Sequence, residues 1–96
     1  MVQIAQIDVG DHTAVGVRVD LSKAPLLLIK AARGFLMCGY LNVYSAEQLG
    51  DVAAVVRGVS TFEEMLEASV RSCTAEARAL GIKEGETGRS ALEKMF

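Results

Sequence analysis

Apolar residues recur along this chain in two periods, and the change of period divides it. The first half alternates as strands do, and the second half is spaced mostly as helices are. VQIAQIDV, at Val2–Val9, reads as a strand whose alternation slips: Val2 and Ile4 share one face, Ile7 and Val9 the other. That slip predicts a bulge or twist near Ala5–Gln6. Gly10-Asp11 is turn chemistry. TAVGVRVD then alternates cleanly, with Val15, Val17 and Val19 expected inward and Ala14, Gly16, Arg18 and Asp20 outward. The two segments form a predicted hairpin. Pro25 suits a strand start, where no ladder donor is required, and LLLIKAA follows it, apolar on both faces until Lys30. Past a turn at Arg33-Gly34, FLMCGYLNV points Phe35, Met37, Gly39, Leu41 and Val43 one way and Leu36, Cys38, Tyr40 and Asn42 the other. Both faces are apolar, which predicts a central strand covered on both sides.

Beyond it, Ser45 is placed to cap a short helix, AEQLG, that Gly50 ends. VAAVV reads as a fifth strand. STFEE has the form of a capping box in which the Ser60 hydroxyl reaches the Glu63 N–H and the Glu63 carboxylate reaches back. Phe62, Leu66, Val70, Cys73, Ala77 and Leu80 then recur at helical spacing. The periodicity allows one helix to about Leu80, while Ser69 and Ser72 offer a second cap and hence a break near Ala68–Ser69. Thr87 is a cap for a last helix, GRSALEKMF.

Length and composition add an oligomer argument. A chain of 96 residues makes one domain, residues 1–96. A chain this small buries only about two-thirds of its unfolded surface. Yet 51% of it is hydrophobic and the mean hydropathy is +0.31. That apolar excess predicts a homo-oligomer in which a second copy covers part of the surface. The net charge of -2 and ten scattered Lys and Arg argue against a nucleic-acid surface. No apolar run approaches the roughly 20 residues of a membrane span, and MVQIAQIDVG lacks the pattern of a signal peptide. Two cysteines without a signal suit a reducing, cytoplasmic setting better than a disulfide.

Candidate chemistry is sparse. Cys38 reads as a nucleophilic or redox thiol if its pKa is lowered, or as a small apolar filler beside Gly39, and packing is the preferred reading. A thiol nucleophile wants a histidine partner, and the chain's only histidine, His12, sits in a turn. One His and two distant Cys match no metal-ligand spacing, so neither a metal nor another cofactor is expected. In EGETGRSAL, Thr87, Gly88 and Arg89 could hold an anion at a helix start, or could be an ordinary capped start, which is the preferred reading. Asn42, at the end of the predicted central strand, is a ligand candidate or a turn former. Arg33, Arg57 and Arg89 are the cations available to a small acidic metabolite.

RGFLMCGYLNV, GVSTFEEML and ALGIKEGETGRSAL, in that order, resemble the YunC-like family of small uncharacterised bacterial and archaeal domains, from roughly Val15 onward. The matching positions are Gly34, Met37, Cys38, Gly39, Gly58, Thr61, Gly81, Gly85, Gly88, Ala91 and Leu92. The resemblance implies a compact α+β cytosolic domain and brings no activity with it. Its pattern has an apolar Met where this chain has Glu86, and a proline in the region of EASVRS that implies a helix break near Ala68.

The expected architecture is α+β, a mainly antiparallel sheet of about five strands with helices packed on one face. The expected function is a self-associating or partner-binding module without catalysis. The alternative is a thiol-dependent enzyme or a small acidic-ligand binder that uses Cys38 and the helix start at Thr87–Arg89.

Overall fold

A computed structural model describes residues 1–96. The elements run β1 (Val2–Val9), β2 (His12–Asp20), β3 (Pro25–Lys30), β4 (Phe35–Met37), α1 (Val43–Leu49), β5 (Ala53–Val55), α2 (Phe62–Glu67), β6 (Ser72–Cys73), α3 (Ala75–Ala79) and α4 (Gly88–Glu93). The strands make one six-stranded sheet in the order β1-β2-β3-β4-β5-β6. Every pairing is antiparallel except β4 with β5, which is parallel and needs the α1 crossover. The class is α+β as expected, with one strand more than the pattern suggested. That strand, β6, is only two residues long, too short to leave an alternation.

Residues paired across a ladder share a face. One row runs Ala5, Gly16, Ile29, Leu36, Ala54, Cys73. It packs under α2 and α4 in a core that also holds Leu27, Met65, Ile82, Leu92 and Met95. Each large side chain buried there contributes about 1.5–3 kcal/mol. The row on the other face runs Ile4, Val17, Leu28, Met37, Val55. Of it, Met37 and Val55 join Ala46 of α1 and Ala53 in a second, smaller cluster. So α2 and α4 share one face of the sheet, and α1 lies alone on the other, over β4 and β5.

This layout corrects several expectations. The β1–β2 register is continuous from Val2↔Val19 to Val9↔His12, with no bulge. Ile7 and Val9 face the helices while Val2 and Ile4 lie on the opposite face. On β2 the faces are reversed: Ala14 and Gly16 are the buried positions, and Val15 is exposed. The small residues turn inward because α2 needs the room. A Cβ on Gly16 would come within 2.8 Å of the Phe62 ring. The predicted strand FLMCGYLNV stops at Met37, where a turn closes with the Leu41 N–H donating to the Cys38 carbonyl at 3.2 Å. Asn42, not Ser45, caps α1, its Oδ1 accepting from the Tyr44 N–H at 2.8 Å, and Gly50 ends the helix with φ 75°.

The capping box is displaced by one residue. Thr61 Oγ1 accepts the Glu64 N–H at 3.1 Å, and Glu64 Oε1 accepts the Ser60 N–H at 2.6 Å. The stripe from Phe62 to Leu80 is broken after Glu67, near Ala68. From there the chain runs extended, the Val70 N–H donating to the Glu86 carbonyl at 2.8 Å. Thr74 starts α3; Thr87 caps α4 as its sequence position implies.

Candidate functional site

Cys38 stands just past β4, and its backbone continues the ladder: its N–H donates to the Leu27 carbonyl at 3.1 Å. Its Sγ accepts the Leu27 N–H at 3.3 Å, and the residue is 4% exposed, within the main core. It also lines a surface cleft of about 300 Å³ with Pro25, Gly39, Tyr40, Gly58 and Val59. The thiol therefore lies at the boundary between core and cleft. No histidine or carboxylate lines that cleft. His12 is elsewhere, stacked on Phe96 with ring centroids 4.5 Å apart. Arg57 runs alongside, its Cγ 3.6 Å from where a Cβ on Gly39 would be. It lines a neighbouring groove of about 390 Å³ with Glu63, Glu64 and Glu67. Cys73, the other free cysteine, is buried, with its Sγ 3.8 Å from the Ile82 carbonyl oxygen.

The helix start at Thr87–Arg89 is not part of this cleft. Gly88 lies where α4 crosses α2 so closely that an added Cβ would collide with the Met65 carbonyl. Its N–H donates to the Ala68 carbonyl at 2.8 Å, and the Thr87 hydroxyl accepts the Ser90 N–H at 3.1 Å. Beside them the protein supplies an anion of its own. The Glu86 carboxylate accepts from the Lys83 N–H at 2.7 Å, from Ser90 Oγ at 2.6 Å and from Lys94 Nζ at 2.8 Å. Burial pushes the Glu86 carboxyl pKa up, but the hydrogen bonds from Lys94, Ser90 and the Lys83 backbone and the Lys94 charge outweigh it. The net result lies below the ordinary value. Arg89 is exposed on the outer side of this turn. Arg33 clasps the end of α4: its N–H donates to the Met95 carbonyl at 2.7 Å and its guanidinium to the Lys94 carbonyl at 3.1 Å. Asn42 spends its side chain on the α1 cap.

A third feature escaped the sequence reading. Over β1, β2 and the near part of β3, the sheet face opposite α2 and α4 carries Val2, Ile4, Val15, Val17, Val19 and Leu28 with no helix on top. Val2 is 63% exposed, Ile4 66% and Val15 45%. Where this strip meets α1, a groove of about 390 Å³ opens, lined by Leu28, Phe35, Met37, Leu41, Ser45 and Leu49 among others. The signal was present as the regular Val15, Val17, Val19 alternation. Alternation tells which residues share a face, but not which face is covered. No helix of the structure is long and apolar enough to cross a membrane.

Residues 37–95 match the profile of a domain of unknown function, DUF1805. The uncharacterized protein YunC of Bacillus subtilis (strain 168) is 35% identical over 100 residues, an alignment that covers 100% of this chain and 99% of that protein. The crystal structure of a protein of unknown function, TA1206 from Thermoplasma acidophilum, matches with a TM-score of 0.95 at 40% identity, covering 100% of this chain and 94% of the other.

Proposed function

The chain belongs to the family of domains of unknown function DUF1805 and is YunC-like along its whole length; from that premise we propose that it works as a cytoplasmic self-associating module without catalysis of its own. The observation that carries this reading is the uncovered apolar strip of the sheet. Val2, Ile4, Val15 and Val17 form a contiguous patch across two strands, with Leu28 beside it on a third. Contiguous exposed apolar residues rimmed by polar ones, as Val15 is by its ladder partners Gln6 and Lys30, are a common form of interaction surface. The opposite face is sealed by α2 and α4, so association has one obvious place to occur. The cleft beside Cys38 lacks the acid–base partner that nucleophilic chemistry requires. Sedimentation velocity on the full chain at micromolar concentration tests the reading. A species of at least twice 10.2 kDa is expected, and a stable monomer of 10.2 kDa overturns it.

A second reading is favoured by one observation, the contact of Cys38 with the 300 Å³ cleft. There a small ligand would rest against the thiol, with the Arg57 side chain nearby to meet an acidic group. The helix start at Thr87–Arg89 is the weaker partner in this reading, since its groups already bond within the protein. Alkylation kinetics on the native protein test it. Modification of Cys38 faster than free cysteine at neutral pH supports a reactive thiol, and protection until unfolding removes it.

A further inference from the structure

Resting on the second reading above, we propose what the cleft beside Cys38 takes: a small carboxylate, bound where the chain leaves the two parallel strands of the sheet for opposite faces. The ligand is a singly charged organic acid with a short apolar body.

The argument begins with topology. β4 and β5 are the one parallel pair, in register from Phe35↔Ala53 to Met37↔Val55, so their carboxyl ends lie side by side. From β4 the chain turns to α1, which packs on the face of Met37 and Val55. From β5 it runs to α2, which packs on the opposite face with Leu36 and Ala54. Parallel neighbours whose connections diverge in this way leave a crevice beyond their carboxyl ends, and open α/β sheets bind their ligands in such crevices. The cleft of about 300 Å³ is that crevice. Cys38, Gly39 and Tyr40 on its wall follow β4, and Gly58 and Val59 follow β5. Its size is at the lower end of the range for small-molecule sites.

The polar groups around it are mostly donors. The Cys38 carbonyl accepts the Leu41 N–H at 3.2 Å, so the turn closes on itself, and the N–H groups of its central residues, Gly39 and Tyr40, have no acceptor within the chain. Those of Gly58 and Val59 have none either. A backbone N–H needs an acceptor, and here two separate loops bring unpaired ones to a single cleft. Arg57 adds the charge. Its guanidinium takes part in neither of the chain's ion pairs. Its Nη1 lies 4.0 Å from the place a Cβ on Gly39 would occupy, which puts it at the rim. A guanidinium is a forked donor that fits the two oxygens of a carboxylate.

Charge then selects among anions. On its other side Arg57 lines the neighbouring groove with Glu63, Glu64 and Glu67. One cation beside those carboxylates leaves no surplus for a dianion, so a phosphate is opposed where a monoanion is accepted. The rest of the wall, Ala24, Pro25, Val59 and the Cys38 thiol, is apolar or weakly polar and suits a body of a few carbons. In this arrangement Cys38 is a wall of the site, and no bond to it is made.

Amide shift mapping by NMR on the nitrogen-15-labelled full chain tests the proposal, with butyrate, inorganic phosphate and n-butanol as probes. Butyrate should give saturable shifts at the Gly39, Tyr40, Gly58 and Val59 amides, phosphate weaker ones and butanol none. Arg57 is exposed, so Arg57→Ala should fold, and it should raise the butyrate Kd about tenfold. Arg89→Ala, at the helix start outside the cleft, should leave it unchanged. Modification of Cys38 by iodoacetamide, followed in parallel, should be slowed by butyrate. No saturable shift, or shifts centred on the Thr87–Arg89 amides, overturns the proposal. Tighter binding of phosphate than of butyrate overturns the choice of a singly charged carboxylate. Butyrate shifts at the four amides with Cys38 inert to iodoacetamide uphold the site and remove the reactive thiol of the second reading. A Cys38 that reacts while butyrate neither shields it nor shifts its neighbours keeps that reading and defeats this one.

Discussion

Replacing Gly88 by alanine should destabilise the domain, against the usual helix preference. Gly88 is the first residue of α4, and alanine in a helix interior is favoured over glycine by about 1 kcal/mol, less at the first position. Against that stands the α2–α4 crossing. The new methyl would press on the Met65 carbonyl group and come within 2.8 Å of Leu36 Cδ2. A backbone carbonyl cannot rotate away as a side chain can, so α4 must lift. Lifting it loosens Ala91, Leu92 and Met95, all fully buried. Overpacking of this kind costs about 1–3 kcal/mol. The net loss is then about 1–2 kcal/mol, and at about 4–8 °C per kcal/mol for a domain of this size the Tm falls by about 5–15 °C. Thermal melts and urea unfolding, with Arg89→Ala as the exposed neighbour expected within about 0.5 kcal/mol of wild type, provide the measurement. A Gly88→Ala variant as stable as wild type refutes the crossing argument. Stabilisation of wild type by phosphate that Gly88→Ala abolishes would show that the helix start serves an anion after all.

Two further outcomes follow from the buried polar groups. Glu86→Gln should lower stability by about 1–2 kcal/mol near neutral pH, because the amide cannot accept from Lys83, Ser90 and Lys94 together. Since the folded-state pKa of Glu86 is depressed, its contribution is complete above the ordinary carboxylate range near pH 4.3 and is lost as pH falls through the lower, folded value. Melts across pH should show the wild-type advantage shrinking only on the acid side, and an advantage constant into strong acid contradicts this. Thr74→Val, isosteric and fully buried, strips a donor from the Asp51 carbonyl and an acceptor from the Ala53 and Ala77 N–H groups. A loss of about 2–4 kcal/mol in urea unfolding is expected, and less than about 0.5 kcal/mol would mean the hydroxyl is dispensable.

The class, the β1–β2 hairpin, the Thr87 cap and the break near Ala68 were legible in the sequence, the last through the family resemblance rather than the stripe. Where reading failed, the reasons are local. Val15, Val17 and Val19 were placed inward because apolar residues usually are. That assumption fails here because the inward face of β2 holds the small residues Ala14 and Gly16, while the valines lie on the face that no helix covers. Val2 and Ile4 looked like a slipped register for the same reason: they are apolar on the uncovered side of an unbroken ladder. Ser60 and Thr61 are chemically alike, and only the backbone conformation at Thr61 selects the cap. Glu86 gave no sign of its role, since its partners Lys83, Ser90 and Lys94 meet only when the turn before α4 is formed. Of the candidate site, the sequence singles out Cys38 alone, whereas the cleft beside it is made by Pro25, Gly58 and Val59, distant in sequence.

The strand order of the sheet is the order of the chain, and that governs how the molecule is assembled in time. The ladders from β1 to β4 close over short connections, whereas β5 reaches β6 only past α2, so the β1 end of the sheet is able to form before the β6 end. Its core-facing row is different. Leu27, Ile29 and Leu36 are finally covered by α4, through Leu92 and Met95, far downstream. A nascent chain would hold a nearly complete sheet, apolar on both sides, until α4 docks. The core-facing side is sealed by the chain's own later residues, so the delay before α4 emerges sets how long it stays bare, while the valine strip on β1 and β2 stays exposed in the finished chain.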